Sequence, residues 1–569
     1  MPISHCHQPE AQARDHKHFS LALRAGRRKN VAYLLAALAS GFLLWLCYFP
    51  ASAGWLAWGA LVPWLFLVRA DMPNWRRYVF AWLSGLVCFV PALQWMRVAH
   101  ETMFYSWLCL AWYCSWYFLL ALWLLRRLDR RTGWPLTFTV PVVWTALEFL
   151  RGNFAGGFAW YLLGHTQHDF LPVIQVADLA GVAGVTFLVA AVNGLIAEAM
   201  SRRERRSTRW QWVAVGSGAV VVLGYGAWQL GRSEFAAGPR VALLQTNIPQ
   251  GIRNASFAGA ERKEPADESL VEITNRMVGQ AIRDGRPDLV IWPETTYHSE
   301  WKELSPNARA SRERTAFQSN LADVQAAFRT FANDIGTNAL LGLNSYVFAA
   351  DGVARRYNSA LMTTPTRGVV ARYDKMHLVP FGEYVPLQDT IPLLAKLTPY
   401  DFEYNLVAGE KTTRFRMITH DGRTFTFAAL ICYEDSDAPL ARTYARTGDG
   451  PPVDFLVNLS NDGWFMGTSE HEEHLAVSRF RAIETRRSLV RAVNMGISAV
   501  IDGNGRIVAL PRETLRESKG VEAIVKATVP IDSRLSVYAY AGDWLPWACW
   551  IGVGYGCFRR RKESADVRR

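Results

Sequence analysis

Seven apolar runs lie before residue 231, at 31–49, 55–68, 78–93, 104–125, 134–150, 171–200 and 211–230, and an eighth lies at 544–558. Most approach the roughly 20 residues that an α-helix needs to cross a bilayer, although the second, fifth and eighth are short. In lipid every backbone polar group must be paired internally, which restricts such runs to helices. The expected organisation is a cytoplasmic tail at 1–30, a seven-helix transmembrane region at 31–230, a globular segment at 231–535, an eighth transmembrane helix at 536–558 and a second tail at 559–569. The first run is longer than the apolar core of a signal peptide and lacks a small-x-small cleavage site, so it reads as an uncleaved anchor.

The basic residues give the orientation. Arg24, Arg27, Arg28 and Lys29 precede the first run. Arg69, Arg76 and Arg77 follow the second, Arg126, Arg127, Arg130 and Arg131 the fourth, and Arg202, Arg203, Arg205, Arg206 and Arg209 the sixth. The alternate loops hold only Arg97 and Arg151, and the tail after the eighth run holds Arg559, Arg560, Arg561 and Lys562. Lys and Arg resist translocation, so both termini are expected in the cytoplasm and residues 231–535 outside it. The net charge of +12 is thus explained by topology, and nucleic acid is not an expected partner. His5, His7, His16 and His18 in the first tail fit no metal-site spacing, and that tail is read as disordered.

Of the eight cysteines, only Cys432 falls in the globular segment. An unpaired thiol facing an oxidising compartment is either a nucleophile or a buried structural residue, and the count alone leaves both readings open. Strand-like stretches in that segment lie at 240–246, 288–292, 339–347, 358–363, 368–373, 424–432, 454–459, 489–493, 498–501, 507–510 and 523–529. Helical periodicity lies at 268–282, 316–332 and 470–488. The alternation predicts an α/β layered domain.

Three stretches there carry chemistry. Asp288-Leu-Val-Ile-Trp-Pro293-Glu294 ends a strand on a carboxylate. Arg372-Tyr-Asp-Lys375-Met-His377 runs on to Gly382-Glu383-Tyr384, and Ala429-Leu-Ile-Cys432-Tyr433-Glu434-Asp435 ends another strand on the thiol. In this order they resemble the nitrilase (carbon–nitrogen hydrolase) superfamily. With seven apolar runs before them and one after, the chain resembles the apolipoprotein N-acyltransferase family. Glu148-Phe-Leu-Arg151-Gly152, Gln175-Val-Ala-Asp178-Leu-Ala-Gly181 and Asn247-Ile-Pro-Gln250 fit as well.

That resemblance implies an αββα sandwich in the globular segment, in the bacterial inner membrane and on its periplasmic side. It implies Glu294 as general base, Lys375 as the oxyanion-stabilising cation and Cys432 as nucleophile, with Glu383, Tyr433 and Glu434 in support. It further implies a phospholipid acyl donor, a diacylglyceryl apolipoprotein acceptor, the lipid bilayer as a partner and no cofactor or metal. Family members often carry a Trp where this chain has Asn254, and Phe257 or Trp301 are the candidates to replace it. The triad alone would equally suit a membrane-tethered amide or nitrile hydrolase; a non-catalytic lipid-binding scaffold is the third reading. A free thiol is mostly protonated at neutral pH, so Glu294 must accept its proton or Lys375 must favour the thiolate. His377 reads as structural, because Glu294 and Lys375 already fill the roles beside the thiol. Glu148 and Arg151, spaced i, i+3 near a helix end, are expected to form an ion pair. His471 and His474 lack the His-Glu-x-x-His order of a metalloprotease, and Asn458, Ser460, Asn461 and Asp462, leading into Gly463 and Trp464, either line the site or form an ordinary turn after a strand with no function.

Overall fold

The computed structural model describes residues 28–201, 208–232, 234–250, 270–283, 285–305, 315, 317–318, 321–385, 390 and 406–559. Most of the first tail, Arg202, Arg203, Arg205 and Arg206, Asn254, Phe257 and the last ten residues lie outside this set.

All eight apolar runs are helical. They form α1 (Arg28–Leu46), α2 (Gly54–Val68), α3 (Asn74–Ala92), α4 (Met103–Thr132), α5 (Leu136–Asn153), α6 (Leu171–Ala180), α7 (Val182–Ser201), α8 (Arg209–Gly231) and, near the end of the chain, Trp544–Phe558. Among the described residues α1, α4, α7 and α8 are long and apolar enough to cross a membrane. α7 is the centre of the bundle, with 61% of its apolar window buried, whereas α8 is 11% buried and lies at the rim. The run at 171–200 is not one helix. Gly181 takes φ 66° between α6 and α7, and a Cβ there would press on the Tyr538 ring, so the break needs glycine twice over.

Glu148 and Arg151 on α5 do not form the expected ion pair. Glu148 accepts from Trp144 Nε1 (2.9 Å), the Leu163 backbone N–H (2.7 Å) and the Thr186 hydroxyl (2.8 Å), while Arg151 donates to the Trp160 and Tyr161 carbonyls, each at 2.9 Å. The i, i+3 pair is split because the chain at 160–163 folds back and offers both residues stronger partners. Together they fix that loop against the bundle.

The globular segment folds as two sheets packed face to face. The first contains β1 (Ala236–Gln245), β2 (Leu289–Ile291), β3 (Trp301–Leu304), β4 (Asn338–Phe348), β5 (Ala354–Thr364), β6 (Gly368–Asp374) and, last in the chain, Ala523–Ile531. The second contains β7 (Phe415–Ile418), β8 (Thr424–Ile431), β9 (Phe455–Asn461), β10 (Ser488–Asn494), β11 (Ala499–Ile501) and β12 (Ile507–Ala509), so Ala523–Ile531 is β13. The strand orders are 13-1-2-4-5-6, with β3 on β4, and 12-11-10-9-8-7. Between the sheets Phe415, Phe427 and Phe455 stack at 5.1 and 5.2 Å. α9 (Leu270–Arg283) and α10 (Leu321–Ile335) cover one outer face; α11 (Ala438–Ala445) and α12 (Glu470–Thr485) cover the other. The order of layers is αββα. Two short strands, β3 and β7, and helix α11 went unread in the sequence.

Bundle and sandwich share one hydrophobic core, because Val477, Phe480 and Ile483 on α12 pack into the cluster formed by the membrane helices. A buried polar joint runs beside it. Arg486 sends Nη2 to Asp178 (2.6 Å) and Nη1 to Gln175 (2.8 Å) and to the Gly503 carbonyl (2.9 Å), and both charged groups are almost wholly withdrawn from water. The Gln175 to Gly181 stretch is therefore the socket for the sandwich. Beyond it α13 (Val537–Ala541) leads into α14, the helix Trp544–Phe558.

Candidate active site

Parallel pairing of β2 with β4, and of β8 with β9 and β9 with β10, brings several strand ends to one edge of the sandwich. Side chains that follow the carboxyl ends of parallel strands converge in a crevice there. Glu294 follows β2, Cys432 follows β8, Asn461 ends β9 and Asp462 follows it. Gly342 on β4 makes the first approach possible, since a Cβ would collide with the Pro293 carbonyl.

Lys375, one residue beyond β6, is 1% exposed. Its ammonium lies 2.8 Å from Glu383 Oε2 and 3.5 Å from Glu294 Oε1. Burial opposes the charge, but Glu383 and Glu294 together hold the Lys375 pKa well above its ordinary value. Asn358, on β5, ties the carboxylates to each other: its Nδ2 donates to Glu294 Oε1 at 2.7 Å and to Glu383 Oε1 at 3.1 Å. The Asn461 backbone N–H donates to Glu294 Oε2 at 2.9 Å, and the Val379 N–H donates to Glu383 Oε2 at 2.9 Å.

Cys432 has φ 53°, the left-handed geometry of a residue turned sharply from strand into helix, and it opens a 3-10 turn over Cys432–Ser436. Its carbonyl accepts from Asn458 Nδ2 at 3.1 Å. Burial, and then the charge of Glu294, push the thiol up to about 12, while Lys375 and His474 act in the opposite sense. At neutral pH Cys432 is thus a protonated thiol. Glu434 holds the turn shut. It accepts from the Ile431 N–H (2.7 Å), the Met376 N–H (2.6 Å), the His377 N–H (3.0 Å) and the Tyr373 hydroxyl (2.8 Å), so one carboxylate joins the Cys432 and Lys375 loops.

Tyr433 faces the membrane half. Its ring stacks on Trp160 at 6.1 Å, and its hydroxyl meets the Gly157 carbonyl (3.3 Å) and the Ala159 N–H (3.4 Å). His377 pairs with Asp437 at 3.0 Å and reaches the Gly156 carbonyl at 3.2 Å, in keeping with a structural role. Trp301 is not a substitute recognition aromatic: it is buried edge-on against Phe328 at 5.5 Å.

Beneath Cys432 lies a charge network. Arg491 donates to Asp435 (3.1 Å), Asp462 (3.0 Å) and Asn458 Oδ1 (2.8 Å), and His474 bridges Asp435 (3.0 Å) and Asp462 (3.3 Å) with its two ring nitrogens. Despite burial, Asp435 and Asp462 hold His474 well above its ordinary pKa. Glu470 joins His474 at 3.4 Å, and burial next to Asp462 pushes its carboxyl up to about 8. Asp462, Glu470 and His474 converge closely enough to offer ligand atoms to a cation, but Arg491 already answers the Asp462 charge. The signal for the centre of this network was an arginine inside the apolar run Leu489-Val490-Arg491-Ala492, and the corresponding signal for Asn358 was an amide inside a strand.

Comparison with known proteins covers both halves. The model of the apolipoprotein N-acyltransferase N-terminal domain matches residues 40–195, and that of carbon-nitrogen hydrolase matches residues 240–533. The apolipoprotein N-acyltransferase of Geobacter metallireducens is 31% identical over 546 residues, covering 93% of this chain and 96% of the relative. Those of Rhodopirellula baltica and Vibrio cholerae are each 27% identical, over 590 and 555 residues, covering 93% of this chain and 99% and 97% of the relatives. With a matching membrane bundle, a matching sandwich and relatives spanned nearly end to end, the chain belongs to the apolipoprotein N-acyltransferase family of carbon–nitrogen hydrolases.

Proposed function

We propose that the chain transfers an acyl group from a phospholipid to the α-amine of a diacylglyceryl-cysteine at the N-terminus of an apolipoprotein, through a thioester on Cys432. Glu294 takes the thiol proton as sulfur attacks the ester carbonyl. The oxyanion is met by Lys375, whose charge Glu383 secures, and on collapse Glu294 returns the proton to the departing lysophospholipid oxygen. The incoming amine then attacks the thioester, gives up a proton to Glu294 and leaves as an amide, and the thiol is restored. Tyr433 and Glu434 hold the nucleophile's turn in place. The catalytic domain faces the periplasm from the inner membrane, with both termini in the cytoplasm.

The observation that carries this reading is the Lys375 ammonium clamped between Glu294 and Glu383, next to a protonated Cys432 at the strand ends. Tyr433 beside it is covered by the membrane loop at 157–160, which favours a lipid-borne substrate and shields a thioester from water. The test is purified protein given phospholipid and no amine. One acyl chain is expected on Cys432, released by hydroxylamine, absent in Cys432→Ala, and discharged as an amide by a diacylglyceryl-cysteine peptide but not by its N-acetylated form. Steady release of free fatty acid without dependence on amine would make the protein a hydrolase, and full activity of Cys432→Ala would end the covalent mechanism.

A further inference from the structure

Where α5, α7 and α14 meet α12 there is a cavity of about 330 Å³, within the range of small-molecule sites, roughly 300–1,000 Å³. Tyr433 and His377 border it, but Cys432, Glu294 and Lys375 are not among its lining residues. Leu162, Val182, Ala183, Val477 and Pro546 give it an apolar wall. At its membrane side Phe149 in the lining meets Trp547, which is 60% exposed, at 5.3 Å.

Three polar side chains in the lining have atoms without a hydrogen-bond partner among the described residues: both ring nitrogens of His165, Nε of Arg481 and Oγ1 of Thr145. His165 and Arg481 are 2% exposed and Thr145 is 1% exposed. An unpaired buried polar group costs about 1–3 kcal/mol, so three of them around one cavity call for an occupant with polar atoms. All three can donate, so the occupant offers acceptor oxygens. Arg481 lies 2.8 Å from Glu484, and Glu148, Asp437 and Asp543 add carboxyl groups to the lining, which makes the site a poor trap for a free anion. A neutral carbonyl-bearing group with apolar tails, entering past the membrane helices, fits both walls.

We propose that this cavity is a second lipid site, which holds the ester-bearing glycerol region of a membrane glycerolipid apart from the place where Cys432 reacts. The assignment goes beyond the acyl-transfer reading and does not depend on which residue is the nucleophile. The tails of the bound lipid lie along α5 and α14, while its ester oxygens accept from His165, Arg481 and Thr145.

The test uses full-length protein in nanodiscs, with Cys432→Ala to prevent turnover. One arm carries a phospholipid with a photoreactive group beside the glycerol, the other a diacylglyceryl-cysteine peptide bearing the same group. Labelled peptides are mapped by mass spectrometry. Label is expected on α12 near Val477 and Arg481 and on α7 near Ala183, and the arm that gives it names the source of the glycerolipid. Ala183→Trp, placed to fill the cavity, should cut this label about fivefold or more. Thr145→Val, which keeps the shape and removes one donor, should lower it about twofold to threefold. In protein with Cys432 intact, Ala183→Trp should leave thioester formation within about twofold of normal. Label confined to the surroundings of Cys432, or unchanged by both substitutions, would mean that the cavity holds only water and would overturn the proposal. Loss of thioester formation in a folded Ala183→Trp protein would overturn it too, since the cavity would then be the donor's own site.

Discussion

Lys375 Nζ lies 2.8 Å from Glu383 Oε2, and both side chains are almost wholly withdrawn from water. A compact ammonium fits between Glu383 and Glu294, whereas a planar guanidinium of the same charge does not. Lys375→Arg should therefore lose activity about 10²-fold or more, the scale of removing one oxyanion donor. Glu383→Gln should fail as well, by leaving Lys375 with one carboxylate where it had two. The check is the rate of acyl-thioester formation, and near-normal turnover in Lys375→Arg would remove the proposed oxyanion role.

The raised pKa of Cys432 gives a signed prediction. Burial and Glu294 push the thiol up to about 12, so the thiolate fraction, and with it the rate of alkylation by iodoacetamide, should still be rising at pH 9 and above. Glu294→Gln removes a negative neighbour, so the midpoint of that pH profile should fall even though acyl transfer is lost. A midpoint unmoved or raised in Glu294→Gln would separate the carboxylate from the thiol.

Arg491 is fully buried between Asp435 and Asp462. Replacing it with Met leaves those carboxylates with His474 as their main counter-charge, and breaking a buried pair from one side costs about 3–5 kcal/mol. Arg491→Met should lower the thermal midpoint in detergent, and Asp462→Asn in the same chain should recover part of the loss. Additive losses in this double-mutant cycle would show that the two side chains are not coupled.

The orientation is tested by reporters that are active only in the periplasm. Fusions after Ser305 should be active and fusions after Arg569 silent, since the basic loops alternate with loops almost free of charge. The reverse pattern would place the catalytic half in the cytoplasm and sever it from a periplasmic acceptor.

Cys432, Glu294 and Lys375 could be picked out in the sequence because each lies one to three residues beyond the end of the strand that carries it. Asn358 and Arg491 could not. Asn358 matters only through the pairing of β5 with β4 and β6, which sets it near both carboxylates, and Arg491 only through the pairing of β8, β9 and β10 and the packing of α12 on β10. β7 is four residues long at a sheet edge, too short for its alternation to stand out. α11 begins with Ala438-Pro439, which reads as a turn until Asp437 is seen to accept from the Leu440 N–H at 3.0 Å. Glu148 and Arg151 misled because helical spacing tells which residues share a face, but not what a returning loop will offer them.

The seating of Arg486 on Asp178 and Gln175 bears on how the two halves can be handled. Cut from the bundle, the sandwich would present an apolar stripe on α12 and a guanidinium stripped of its counter-ion. A soluble fragment of this enzyme is therefore an incomplete protein that will aggregate or refold around the exposed patch. Inhibitor screens and engineered secreted forms need either the intact membrane protein or a redesigned α12 and Arg486 surface.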